Sequence, residues 1–330
     1  MKGERGDVNS VAPLTRYAHQ VTQFRLPLPV PGDWCQPDER RAGIPSAHEI
    51  GLPEHDLDLM RVHGWLTDRP IAQLLRTATD DAVKYVLDGA RTWRFDLTDP
   101  KVDSDERASV GVKLQYHVIQ KLGLSKVPPL DTSVLGVAVE IKGTVRNTWM
   151  IPREGQCEVT LLIRIDAAEN RFAAWLMRPH RAWLTGKKGN RDLKRSPRVE
   201  AERRYALEVV PWTDLPPEPL RLLNHEQLKV VFRENVGLCR RLVALFESLP
   251  MVVIPRESIL VVGAGLADPL RRARQAKSEL RSKDLILLVG TWRHDRQAAE
   301  EIGFELAGGA WVAVPLARFQ ALGVTVPPPS

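Results

Sequence analysis

Residues 131–144 read DTSVLGVAVEIKGT. The middle, VLGVAV, has the apolar character of a strand buried on both faces. Asp131 opens the stretch, and Glu140 and Lys142 close it. Unpaired charge next to such a run is costly, so these groups ask for a ligand or a reaction. Side chains alternate along a strand, which puts Glu140 and Lys142 on one face about 6.6 Å apart along it. Asp131, on the preceding turn or strand, can aim its carboxylate at the same point. Two converging carboxylates offer oxygen ligands for Mg²⁺, and the Ile141 carbonyl can add another. Lys142 beside the cation can orient or deprotonate an attacking water, with the cation stabilising charge on a phosphate. A solvated strand end has the same spacing, so the pattern needs support from its surroundings.

A basic segment in the same domain gives some. RAWLTGKKGNRDLKRSPRVEAERR (181–204) holds nine Lys or Arg against three acids. Within it, Lys187, Lys188, Arg191, Lys194 and Arg195 can meet phosphates, while Asn190 and Arg191 can read base edges. Gly186 and Gly189 let the backbone approach a partner. A solvated basic loop is the plainer alternative.

The rest of the chain supplies a frame. Apolar residues at helical spacing predict a helix over 67–87 (Ile71, Leu74, Leu75, Ala78, Ala82, Tyr85, Val86), capped by Thr67 or Asp68. A second helix is expected over 105–124, with Val110, Leu114, Val118 and Leu122 four apart. Strands are expected at 134–143, 157–166 and 171–178, the last two joined by a tight hairpin at AAEN. DLPPEPL (214–220) reads as a linker. Beyond it, 225–249 reads as one long amphipathic helix, followed by helix, turn, helix and strand through 290. In that second helix Arg271, Arg272, Arg274 and Lys277 suit a recognition helix in the major groove. LILLVGTWRHD is expected to form a wing-like strand pair. ILVVGAGLAD lacks the third glycine and the βαβ frame of a dinucleotide site, so no nucleotide cofactor is expected.

Composition narrows the class. The chain has 330 residues, 43 % apolar, with 47 Lys and Arg against 41 Asp and Glu, for a net charge of +6. Such a length suits two domains. Cys35, Cys157 and Cys239 are too few and too far apart for a disulfide framework or a zinc site, which fits a reducing cytoplasmic setting. The longest apolar stretch, 259–267, is too short to span a membrane, and MKGERGDVNS is no signal peptide. Residues 1–65, with RLPLPVPGDW, read as an irregular or partly disordered extension.

The segment from Asp131 to Arg195 resembles the NaeI-type restriction endonucleases, the type IIE enzymes. It carries Asp131, the Glu140-x-Lys142 strand, Trp149 and Met150 with Pro152 one residue late, Glu158, and GKKGNRDLKR at 186–195 in the family's order. DGARTWRF (88–95) is similar to another family segment. The resemblance implies an α/β (α+β) fold. Its core would be a PD-(D/E)xK nuclease with a mixed sheet at 66–215, followed by a helix-turn-helix domain of winged-helix or activator type at 220–330. It also implies a Mg²⁺-dependent homodimer that binds two copies of a palindromic double-stranded DNA site, one as effector and one as substrate. By position, Asp131, Glu140 and Lys142 would be catalytic, with Asp131 and Glu140 on the metal. Glu140 stands where a family enzyme carries Asp. Gln115 stands where the family has a helical Glu, so Gln115 or Glu158 would reach the metal through water. Two rival readings are a cleavage-impaired DNA-binding protein or nickase of the same fold, and a helix-turn-helix transcription regulator whose acids are structural.

Overall fold

The protein is described from a computed structural model covering residues 27–36, 47–186 and 193–328. In chain order it begins with a two-stranded pair, β1 (Trp34–Cys35) and β2 (His48–Glu49), and then α1 (Leu57–Thr67), α2 (Ile71–Leu87), the single turn α3 (Gly89–Thr92) and α4 (Ser104–Lys121). A five-stranded sheet follows: β3 (Thr132–Val134), β4 (Val137–Thr144), β5 (Val159–Asp166), β6 (Arg171–Met177) and, after α5 (Val199–Tyr205), β7 (Leu207–Asp214). The strands lie in the order 3-4-5-6-7. Only β4 and β5 run parallel; the other neighbours are antiparallel. The sheet is therefore mixed, as expected.

Two apolar layers cover it. On one face α2 and α4 meet Val139, Ile141, Leu161 and Ile163. Ile71, Leu75, Ala78 and Ala82 form the buried stripe of α2, but Tyr85, expected on that stripe, is exposed and sits at the end facing His117. Asp103 caps α4 by accepting from the N–H groups of Asp105 and Glu106, and Val110, Leu114 and Val118 turn inward. On the other face Leu162, Met177, Trp149, Trp183 and Tyr205 make a second core, which also takes in Cys35 and Ile50.

The opening stretch departs from a single strand over 134–143. Leu135 and Gly136 have φ of 50° and 83° and make a tight turn between β3 and β4. The N-terminal extension is also more regular than expected. Asp56 caps α1, and its carboxylate forms a two-point ion pair with Arg178 after β6.

The C-terminal third contains α6 (His225–Val231), α7 (Leu238–Ser248), β8 (Val253–Ile254), α8 (Arg256–Val262), α9 (Pro269–Arg281), β9 (Leu285–Val289), α10 (Arg293–Ile302), β10 (Trp311–Pro315) and α11 (Leu316–Leu322). The single long helix expected over 225–249 is broken. Asn235 takes a left-handed φ of 59°, and Gly237 stands at the N-cap of α7. The expected strand pair within LILLVGTWRHD is also replaced. Arg293 starts α10, and β9 pairs with β10 instead, in a sheet of order 8-10-9. Asp295 directs this change: its Oδ2 accepts from Val289 N and from Lys277 Nζ, both at 2.8 Å.

Residues 93–95 join the two parts. Trp93 and Phe95 stack on Phe232, the residue ending α6. Between them Arg94 forms a double hydrogen bond with Glu106 of α4, both distances 2.6 Å.

Helix α4 approaches β4 backbone to backbone, because Gly111 and Gly143 face each other. A Cβ on Gly111 would lie 2.4 Å from the Gly143 oxygen. Gly111→Ala is therefore expected to lower stability by about 1–3 kcal/mol, despite the better helix propensity of alanine. A lowered midpoint in denaturant titration checks this; an unchanged midpoint would show that the helix can lift off the strand at no cost.

Candidate active site

Asp131 and Glu140 are brought together by the β3–β4 hairpin. They stand one step beyond the pair Thr132↔Val139, so they face each other across the ladder with side chains on the same side. Both are buried. Asp131 Oδ2 accepts the Ile141 N–H at 2.9 Å, and its Oδ1 lies 3.8 Å from Lys126 Nζ. Glu140 Oε1 lies 2.6 Å from Lys142 Nζ. Burial raises the Glu140 pKa above its ordinary value. Lys142 opposes this rise, while the charges of Asp131 and Glu154 add to it.

Glu154 was not singled out from the sequence. It sits in the short 3-10 turn Arg153–Gly155 that follows the connection from β4, where Ile151 bridges to Arg195, and Gly155 packs against the Glu140 side chain. Its only sequence signal is an acid in the loop between two core strands. The result is a facing pair of carboxylates with a lysine beside each, and a third acid, Glu154, close enough for its charge to act on Glu140.

Gln115, Lys142, Thr144, Arg146, Thr148 and Lys194 line a cleft of about 300 Å³ at the end of β4. Gln115 thus shares a cleft with Lys142. Glu158 opens instead onto a different cleft, with Arg178, Cys157 and His180.

A family model for the restriction endonuclease NaeI matches residues 66–326. The chain belongs to the NaeI restriction endonuclease family. It is accordingly a type II site-specific deoxyribonuclease, with DNA as its substrate. No curated protein matches it. Among the described residues no helix is long and apolar enough to cross a membrane.

The basic residues expected to meet DNA divide three ways. Lys187, Lys188, Asn190 and Arg191 lie outside the described residues. Lys194 lines the Lys142 cleft. Arg195 is turned to the protein's own backbone, donating to the carbonyls of Thr185 and Leu184 at 3.1 and 2.8 Å. In the C-terminal part Arg271 and Arg274 are exposed, and Arg272 is half-buried. Lys277 is not a surface group. Its ammonium pairs with fully buried Asp295 at 2.8 Å and lies 4.1 Å from the Trp292 ring centre, which removes it from the DNA-binding set.

One group overturns the sequence reading of the cysteines. Cys35, His48, Cys157 and His180 place one ligand atom each within 4.8 Å of one another. Distance along the chain hid the cluster, since Cys35 and Cys157 come from separate elements. The Cys35 thiol is drawn down to about 3, first by the hydrogen bond from Cys157, then by His180 and the Ala182 N–H, with burial opposing. Cys157 is pushed up, first by Cys35 and then by burial.

Because the pKa of Glu140 is raised on folding, its contribution to stability is full below the unfolded pKa and is lost as pH rises through the folded one. At neutral pH Glu140→Gln is therefore expected to raise the melting temperature, and at pH 4 to change it little. Thermal melts of both proteins at the two pH values check this; a lowered melting temperature at neutral pH would mean that the Lys142 ion pair outweighs burial.

Proposed function

We propose that the chain is a Mg²⁺-dependent endonuclease that cuts both strands of a palindromic DNA site as a homodimer, with Asp131, Glu140 and Lys142 as its catalytic residues. The observation that carries this reading is the facing pair Asp131 and Glu140 with Lys142 in contact. The donor set fits the cation. It is made of oxygens, as Mg²⁺ prefers, and the mutual repulsion felt by Glu140 is the kind that a divalent ion relieves. Asp131 and Glu140 would hold the ion. When bound, it supplies positive charge to the phosphate in the transition state.

The protein's own groups do the rest. The Ile141 N–H keeps the Asp131 carboxylate turned toward Glu140. Lys142 donates to the attacking water and holds it in line with the scissile phosphorus–oxygen bond. Gln115, on the cleft wall, sits where a further acid would add charge; its amide can hydrogen-bond a water there but adds no charge. Lys194, in the same cleft, faces the phosphate backbone.

In the C-terminal part, α8 and α9 form the helix-turn-helix, with α9 as the recognition helix for an effector copy of the site. The order 8-10-9 of the small sheet behind them supports a winged-helix arrangement. Arg271, Arg272 and Arg274 are its phosphate and base contacts. A cleavage-impaired binding protein is the second reading, and Gln115 is the observation that favours it.

Lys142→Ala is expected to cut plasmid DNA at least about 10²-fold more slowly than the natural protein while still binding it. Discrete linear fragments should appear with Mg²⁺, and EDTA should abolish them. Cutting by the variant at the natural rate would remove Lys142 from the site. Binding without cutting by the natural protein, with Gln115→Glu restoring cleavage, would establish the second reading. Replacing Arg271, Arg272 and Arg274 together by alanine should flatten the salt dependence of DNA binding by a slope of roughly 2–3. An unchanged slope would place the effector contact elsewhere.

A further inference from the structure

The Cys35–His48–Cys157–His180 cluster lies outside the catalytic cleft, and half of it precedes the family-matched residues 66–326. Its construction is regular. Cys35 and His48 are directly paired across β1 and β2. Cys157 and His180 stand three steps beyond Thr160↔Met177, where the β5–β6 ladder opens, and Cys157 N donates to Pro179 O at 3.0 Å. Two strand pairs thus each present one cysteine and one histidine to a common point.

The distances suit a tetrahedral ion. The two sulfurs are 3.7 Å apart. Zn–S bonds of about 2.3 Å in a tetrahedron put two thiolates about 3.8 Å apart, whereas a disulfide needs about 2.05 Å. All four ligand atoms lie within 4.8 Å of one another, and His48 Nε2 and His180 Nδ1, 3.0 Å apart, are close to the about 3.3 Å that two Zn–N bonds span in a tetrahedron. Cys35, Cys157 and His180 are buried, and His48 is half-buried. The sulfurs also have an outer layer of donors: Arg181 N reaches Cys157 Sγ at 3.3 Å, and the Ala182 N–H points at Cys35. Backbone N–H groups of this kind stabilise metal-bound thiolates. The Trp183 ring meets His180 edge-on at 4.7 Å and limits its rotation.

We propose that these four side chains form a structural zinc site that clamps the N-terminal extension to the nuclease sheet. Two thiolates and two imidazoles are a soft set that selects Zn²⁺ and not the oxygen-seeking Mg²⁺. Four protein ligands close the coordination sphere, so the ion holds structure and does not activate water. The site ties β1–β2 to the sheet face toward which Glu140 and Lys142 of β4 also point. Asp56–Arg178 and the Trp183 Nε1–H donating to Pro29 O are its non-metal companions.

The test is elemental analysis of the purified full-length chain, with Cys35→Ser, His180→Gln and Asp131→Asn alongside. The natural protein is expected to hold one zinc per chain and to release it to a mercurial reagent. Cys35→Ser and His180→Gln should lose the zinc, become more sensitive to proteolysis before residue 57, and melt at a lower temperature. Asp131→Asn should keep the zinc, which separates this site from the proposed catalytic cation. Because a ligand variant can fail to fold, the natural protein is also exchanged with Co²⁺. Intense visible bands of a tetrahedral ion, with thiolate charge transfer in the near ultraviolet, support the assignment. Background zinc together with an octahedral Co²⁺ spectrum overturns it. So does a Cys35–Cys157 disulfide in a non-reducing peptide map, or full zinc retained by folded Cys35→Ser.

Discussion

The hydrogen bond from the Ile141 N–H to Asp131 Oδ2 governs the sheet face that carries Glu140 and Lys142. A carboxylate that accepts from the neighbouring strand cannot swing out to solvent. It therefore stays beside Glu140, at a depth where like charges repel strongly. Lys126 and Lys142 on either side offset that repulsion. The tight turn at Leu135 and Gly136 sets the register that makes this meeting possible. A slip of one residue would send Glu140 to the helix-covered face. Gly111 and Gly143 then let α4 lie close enough for Gln115 to share the Lys142 cleft.

The rest of that same face, over β5 and β6, is organised by different forces. Large aromatic rings, Trp149, Trp183 and Tyr205, fill the layer over Leu162 and Met177, with Trp183 and Tyr205 stacked at 4.1 Å. Several cations of the 181–204 run serve this layer. Arg181 donates to the Gln36 carbonyl, Arg198 to Pro27 and Arg195 to its own loop. Arg181 and Arg198 hold the N-terminal extension against the core, where the charge count alone suggests nucleic acid.

How much of this was legible follows from the range of each interaction. The acid-x-Lys strand, β5, β6 and the α8–α9 pair show in local periodicity, which the sequence carries directly. The family relation came from spacing between unusual pieces, and the match over residues 66–326 agrees with it. The break at Asn235 was hidden because the apolar period continues through it; only the left-handed residue and the capping glycine interrupt the helix. Glu154, the inward turn of Lys277 and the cysteine–histidine cluster depend on contacts between distant segments. No window of sequence contains both partners.

The three residues Trp93, Arg94 and Phe95 set how this molecule can be taken apart. The alternate rings belong to the core beneath Phe232, while the guanidinium between them belongs to α4. A fragment starting at the proline-rich stretch near 214 would carry Phe232 away from both rings and leave a bare aromatic face. A fragment ending there would keep the rings with nothing to cover. Division of the chain in sequence and division of the molecule in space do not coincide, and each half is finished by a piece of the other.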